Sequence, residues 1–249
     1  MSNLAIIPAR GGSKRIPRKN IRDFLGKPII AYSIEAAIHS DLFQDVIVST
    51  DDEEIASIAR SYGAAVPFMR SAETSDDNTG IMAVVEEVVE SLKQEDRTYE
   101  FSCCILATAP FVTAQKLADS YRCIKDAGTA SLSTVSEFDY PIQRALRIEE
   151  NRLSMLTPQN YLKRSQDLEK CFHDAGQFYW FLNSALKLTI NNLFEGAYPF
   201  IIPASEMQDI DTETDWKIAE YKYNCMDPGA ISNKSSQCNS EFESHARQP

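Results

Sequence analysis

Long apolar runs are missing from this chain. None approaches the roughly 18 residues of a membrane-spanning helix, and the first residues show no basic-then-apolar leader pattern, so a cytoplasmic protein is expected. Paired cysteines are missing too. Cys103, Cys104, Cys123, Cys171, Cys225 and Cys238 form no C-x-x-C unit, which argues against a zinc site or disulfide framework and for buried free thiols. His39, His173 and His245 are too scattered to suggest a metal cluster. Positive charge is in deficit: 25 Lys and Arg against 36 Asp and Glu leave a formal net charge of −11 and a pI near 4.8. A general nucleic-acid binder needs a broad basic surface, so that class is set aside. Neither stock nucleotide motif occurs, G-x-x-x-x-G-K-[ST] or G-x-G-x-x-G, and kinase-type and dinucleotide readings lose ground. No Ser-His-Asp or Cys-His arrangement is legible, as expected where a substrate's own hydroxyl is the nucleophile.

What is present is concentrated in residues 4–20, LAIIPARGGSKRIPRKN. Leu4 to Ile7 are too few for a helix and fit a buried strand of an α/β sheet. Pro8 closes the strand, having no N–H to give. Gly11 and Gly12 leave bare backbone whose N–H groups can curl around an anion. From residue 10 to 27 there are seven cations (Arg10, Lys14, Arg15, Arg18, Lys19, Arg22, Lys27) against one acid, Asp23. A basic run is often just a solvated face, but this one follows a buried strand directly, where open α/β sheets bind ligands. A phosphate cradle is the sharper reading.

The rest of the chain alternates. Residues 28–39, 53–62, 81–93 and 114–127 have helical periodicity, while 45–50, 65–69, 101–107 and 129–135 read as strands. Such βαβ alternation calls for a doubly wound, mostly parallel α/β sheet. Residues 137–169 break the rhythm with Pro141, Pro158 and a hairpin turn near Glu150 and Asn151. They are expected to form an inserted arm, a lid or dimer contact, within one domain of residues 1–223. Residues 177–182 and 200–203 then read as strands and 213–222 as a helix. Residues 224–249 shift to Ser, Asn, Gln and Glu and are expected to be a disordered tail.

Asp209 and Asp211 are one residue apart, which in an extended segment puts both carboxylates on one side. With phosphate nearby that suits Mg2+, which takes one or two carboxylates plus substrate oxygens. Equally, Asp211 or Thr212 could cap the following helix, and Asp51 and Asp52 carry the same ambiguity. Arg10 and Lys19 are the candidates for neutralising a triphosphate and its departing pyrophosphate.

Taken together, Ile6 to Asn20, Ser49-Thr50-Asp51-Asp52, Ala107-Thr108-Ala109-Pro110, Asp209-Ile210-Asp211-Thr212 and Asp215-Trp216 resemble the motifs of the CMP-sugar synthetases, cytidylyltransferases that activate eight- and nine-carbon ulosonic acids. The resemblance spans about residues 4–223. It implies a nucleotide-diphospho-sugar transferase-like, Rossmann-like fold, a reaction of CTP with a sugar acid, Mg2+ at Asp209 and Asp211, and a homodimer. It implies catalytic roles for Arg10, Lys19 and Asp211, and nucleotide contacts from Ala9, Arg10, Gly11, Gly12, Ser13, Lys19, Asn20, Arg70, Thr79 and Thr108. Ala107 stands where the family commonly has Gln. Residues 140–144 (YPIQR), 164–168 (RSQDL) and 173–180 (HDAGQFYW) look most like the pseudaminic acid branch. Gln143, Arg144, Arg164, His173 and Gln177 are the candidates for the sugar acid, the arginines for its carboxylate. The same reaction with sialic, legionaminic or deoxy-octulosonic acid stays open, as does a non-catalytic nucleotide-binding regulator.

Overall fold

A computed structural model describes residues 2–76, 80–189 and 193–226. Thr79 and the tail from residue 227 therefore lie outside the described residues. β1 (Asn3–Pro8), β2 (Asp23–Phe24), β3 (Lys27–Pro28) and α1 (Ile29–His39) lead to β4 (Asp45–Ser49), α2 (Glu53–Ser61) and α3 (Ile81–Gln94). β5 (Phe101–Ile105), α4 (Ala114–Ala127), β6 (Ser131–Glu137), β7 (Leu146–Glu149) and β8 (Arg152–Met155) follow. β9 (Phe172–Leu182), α5 (Leu186–Thr189), β10 (Tyr198–Ile201) and α6 (Glu213–Met226) complete the chain.

The six-stranded sheet has the order β10-β6-β9-β5-β1-β4. β1 pairs in parallel with β4 and β5, and β10 with β6, while β9 runs antiparallel between β5 and β6. The fold is thus the expected α/β class, a mostly parallel mixed sheet wound on both faces. Alternation along the strands divides the core. Ala5, Ile7, Phe178 and Trp180 face α1, α2 and α4, whereas Leu4, Ile6, Tyr179 and Phe181 face α3 and α5. Burial on both faces makes β1 and β9 read as continuous apolar runs, each large side chain contributing roughly 1.5–3 kcal/mol.

A third, smaller cluster sets up the site. Ile16 from the basic loop, Phe24, Tyr32, Phe111, Ile210 and Trp216 pack together, with Phe24 edge-on to Trp216 at 5.6 Å. This apolar knot brings residues 16 and 210 to one place, and no local sequence signal announces it.

Three boundaries differ most from expectation. Residues 65–69 make only an isolated bridge, Ala65 to Ile47, because Pro67 has no N–H to continue a ladder. β9 begins at Phe172, five residues early, after a register shift between Ser133 and Val135 that a sequence period cannot reveal. α6 runs to Met226, held by Tyr223 and Met226 packing on the third cluster, so residues 224–226 are helical. The hairpin β7–β8 turns at Glu150 and Asn151, φ 49° and 61°, a two-residue turn needing positive φ at both positions. Among the described residues, no helix is long and apolar enough to cross a membrane.

Candidate active site

A cavity of about 280 Å3 opens at the carboxyl ends of β1 and β5, walled by Arg10, Ser13, Lys14, Arg15, Lys19, Asn20, Arg70 and Thr108. The loop after β1 is braced before any ligand arrives. Gly11 N–H donates to Asp51 Oδ1 at 2.8 Å, so this N–H points at an internal carboxylate and not into the cavity. A Cβ at Gly11 would sit 2.8 Å from Asp52 Oδ2, which is why glycine is required there; at Gly12 nothing lies within 4 Å. Ala9 is fully buried and donates to the Ser49 carbonyl at 2.9 Å.

Asp52 settles its own ambiguity. It caps α2, accepting from the Glu54 and Ile55 N–H groups at 3.0 Å each, and it pairs with Arg18, itself in the left-handed region at φ 56°. The Arg18 guanidinium, helped by these N–H groups, holds the Asp52 carboxyl down at about 2. The basic loop is thereby pinned to the start of α2. Asn20 Nδ2 donates to the Arg10 carbonyl at 2.9 Å, and Arg10 Nη1 to the Asp76 carbonyl at 3.0 Å.

Arg70 is buried behind the cavity, its Nε donating to Ser49 Oγ at 3.0 Å and its Nη2 to the Ser49 carbonyl. Burial lowers its pKa, against the pull of Asp51 and Glu87. Such a half-satisfied guanidinium suits an anionic ligand.

The segment carrying the carboxylate pair meets the basic loop at two cavity-lining cations, Lys19 and Arg15. Lys19 Nζ donates to the Ile210 carbonyl at 2.6 Å and reaches Asp211 Oδ1 at 3.4 Å. Arg15 Nη1 meets Asp211 Oδ2 at 2.7 Å. Neither aspartate caps α6, since Thr212 Oγ1 accepts from the Asp215 N–H at 3.3 Å while Asp215 Oδ2 accepts from Thr212 N at 2.7 Å, a reciprocal capping box. Asp211 does not itself line the cavity; it is held by Arg15 and Lys19, which do. Asp209 is raised above the usual carboxylate range by desolvation and by nearby Asp211, Asp174 and Asp215, against Lys19. Mutually repelling hard oxygens of this kind fit a divalent cation. Among the described residues no group of three His, Cys, Asp or Glu side chains could hold a metal ion.

Residues 4–183 match the family model described as Cytidylyltransferase. The pseudaminic acid cytidylyltransferase of Campylobacter jejuni is 45% identical over 225 residues, covering 90% of this chain and 97% of that protein. This chain belongs to the cytidylyltransferase family. The CMP-N,N'-diacetyllegionaminic acid synthase of Legionella pneumophila is 31% identical, covering 88% of this chain and 95% of its own length. The fold matches the CTP-complexed structure of CMP:2-keto-3-deoxy-manno-octonic acid synthetase with a TM-score of 0.66, at 16% identity, over 91% of this chain and 100% of that one.

Within this cytidylyltransferase fold, the residues assigned to the sugar acid do not line the cavity. Arg164 is paired with Asp167 at 2.8 Å, and Arg144 donates to the Lys163 carbonyl and to Ser165 Oγ. Gln143 Nε2 donates to the Glu169 carbonyl at 2.7 Å. His173 sits in β9 with Nδ1 2.8 Å from the Asp174 carbonyl and its ring 4.8 Å from that of Phe138. Gln177 is buried, donating to the Glu206 carbonyl at 2.6 Å. Sequence reasoning missed the direct roles of Arg15 on Asp211 and Asp51 on Gly11. Arg15 was visible as one cation of the run, but nothing distinguished it from Lys14; Asp51 was visible as a motif carboxylate after a strand, but nothing tied it to the Gly11 N–H.

Proposed function

We propose that the protein transfers the cytidylyl group of CTP to pseudaminic acid, forming CMP-pseudaminic acid and pyrophosphate. The observation that supports this reading is the meeting of Lys19, a residue of the cavity wall, with Ile210 and Asp211. The 45% identity to pseudaminic acid cytidylyltransferase over nearly its whole length supports the choice of acid.

The oxygen of the sugar's anomeric hydroxyl attacks the α-phosphorus in line. That O–P bond forms as the bond from the α-phosphorus to the bridging oxygen of pyrophosphate breaks, and the hydroxyl proton passes to solvent. Arg10 and Lys19 take the charge that develops on the leaving pyrophosphate. Ala9, Gly11, Gly12, Ser13, Asn20, Arg70, Thr79 and Thr108 are assigned to the nucleotide. Ala9 and Gly11 serve through carbonyls and loop shape, since their N–H groups are committed within the fold. Asp209 and Asp211 would hold Mg2+, which when bound offsets phosphate charge and polarises the α-phosphoryl group.

Gln143, Arg144, Arg164, His173 and Gln177 are retained for the acid, with the arginines facing its carboxylate. A homodimer built through the arm is favoured by the exposure of Leu146 (58%), Ile148 (74%), Leu153 (69%) and Leu162 (89%), an apolar surface suited to an interface. A cytoplasmic site follows from the use of CTP. Pyrophosphate release against a panel of pseudaminic, sialic, legionaminic and deoxy-octulosonic acids tests the substrate; preference for any but the first rejects it. CTP binding without product from any acid points to a regulator.

A further inference from the structure

The segment that delivers Asp209 and Asp211 is gripped from outside. The Ile202 N–H still bonds to Val135 O at 2.8 Å, but beyond it regular structure is limited to the single turn Ala204–Glu206. Side chains from other elements take over. Lys222 Nζ of α6 donates to the carbonyls of Ala204 at 2.9 Å and Met207 at 2.8 Å. Lys116 Nζ of α4 pairs with Glu206 Oε2 at 2.9 Å and donates to the Phe111 carbonyl, also at 2.9 Å. Gln177 of β9 holds the Glu206 carbonyl.

An ammonium drawn out of water must have its donors met. Lys116 is only 14% exposed at its side chain, and Lys222 is partly withdrawn, which lowers its pKa. The two acceptors of Lys222 are neutral carbonyls, so the contact fixes backbone shape more than it balances charge. Lys116 also joins two walls of the site, because Phe111 ends the loop that carries Thr108 and Glu206 begins the approach to Asp209.

We propose that Lys222 and Lys116 are positioning residues that clamp residues 204–207 so that the Asp209 and Asp211 carboxylates converge on one cation. This rests on the reading of Asp209 and Asp211 as metal ligands. A cation that demands near-octahedral geometry is sensitive to small shifts of its carboxylates, and loss of supporting contacts typically weakens metal binding about 10- to 100-fold.

Water-proton relaxation enhancement by Mn2+ in the protein–CTP complex reads the metal held by the protein directly, apart from turnover. Lys222→Met is expected to raise the half-saturating Mn2+ concentration about tenfold. Lys222→Arg, which keeps a donor to both carbonyls, should return most of the affinity, a rescue that a merely structural loss would not give. Lys116→Met should shift it in the same direction and serves if Lys222→Met does not fold. Wild-type Mn2+ affinity in both methionine variants overturns the proposal. Unaltered enhancement in Asp211→Asn instead removes the metal reading, and this inference with it.

Discussion

Gly11→Ala is the perturbation that the loop geometry specifies most tightly. The added methyl would lie 2.8 Å from Asp52 Oδ2, 3.0 Å from its Cβ and 3.2 Å from its Cγ. Asp52 cannot yield, since two N–H groups of α2 and the Arg18 guanidinium hold it. The loop must therefore lift, straining the 2.8 Å bond from Gly11 N–H to Asp51. Overpacking of this kind costs about 1–3 kcal/mol, equivalent to about 5- to 150-fold in an equilibrium constant. The cost divides between folding and ligand binding, because Arg10 moves with the loop. Urea unfolding should show a lower midpoint, and calorimetric titration should show CTP binding weakened by about tenfold, the middle of that range. Gly12→Ala is the control: its methyl meets nothing within 4 Å, and its stability should stay within about 0.5 kcal/mol of wild type. Indistinguishable unfolding midpoints in the two variants would refute the bracing of the loop against Asp52.

Two further outcomes follow from the same contacts. Asp52 is lowered from 3.8 to about 2 in the fold, so its stabilisation is present above pH 3.8 and is lost as pH falls through 2. With a side chain 24% exposed, solvent screening trims the effect to about 1–2 kcal/mol. Asp52→Asn should lose that much at pH 7 by urea unfolding, and the gap should close between pH 4 and 2; a gap undiminished at pH 2 contradicts the assignment. Asp211→Asn should lower turnover by about 100-fold or more while unfolding within about 1 kcal/mol of wild type, because Thr212 and Asp215, not Asp211, cap α6. Full activity would remove Asp211 from the reaction.

Much of the architecture was legible because buried strands such as residues 4–7 and 101–105 are short, mostly apolar runs, and helices such as α4 end at a glycine with positive φ, Gly128. The antiparallel entry of β9 between β5 and β6 was not, since an apolar run carries no sign of strand direction. At the site, the basic loop and the carboxylate pair were visible as compositions. Their contact was not, because it depends on Ile16, Phe111, Ile210 and Trp216 packing across the chain. The fixed pairings within the loop, Arg18 with Asp52 and Gly11 with Asp51, are likewise products of tertiary placement.

The central claim is tested most directly by mass analysis of products from CTP and pseudaminic acid labelled with 18O at the anomeric hydroxyl. The account predicts a CMP-acid conjugate that retains the label and pyrophosphate that carries none. Absence of the conjugate, or a conjugate from which the label is lost, would contradict it.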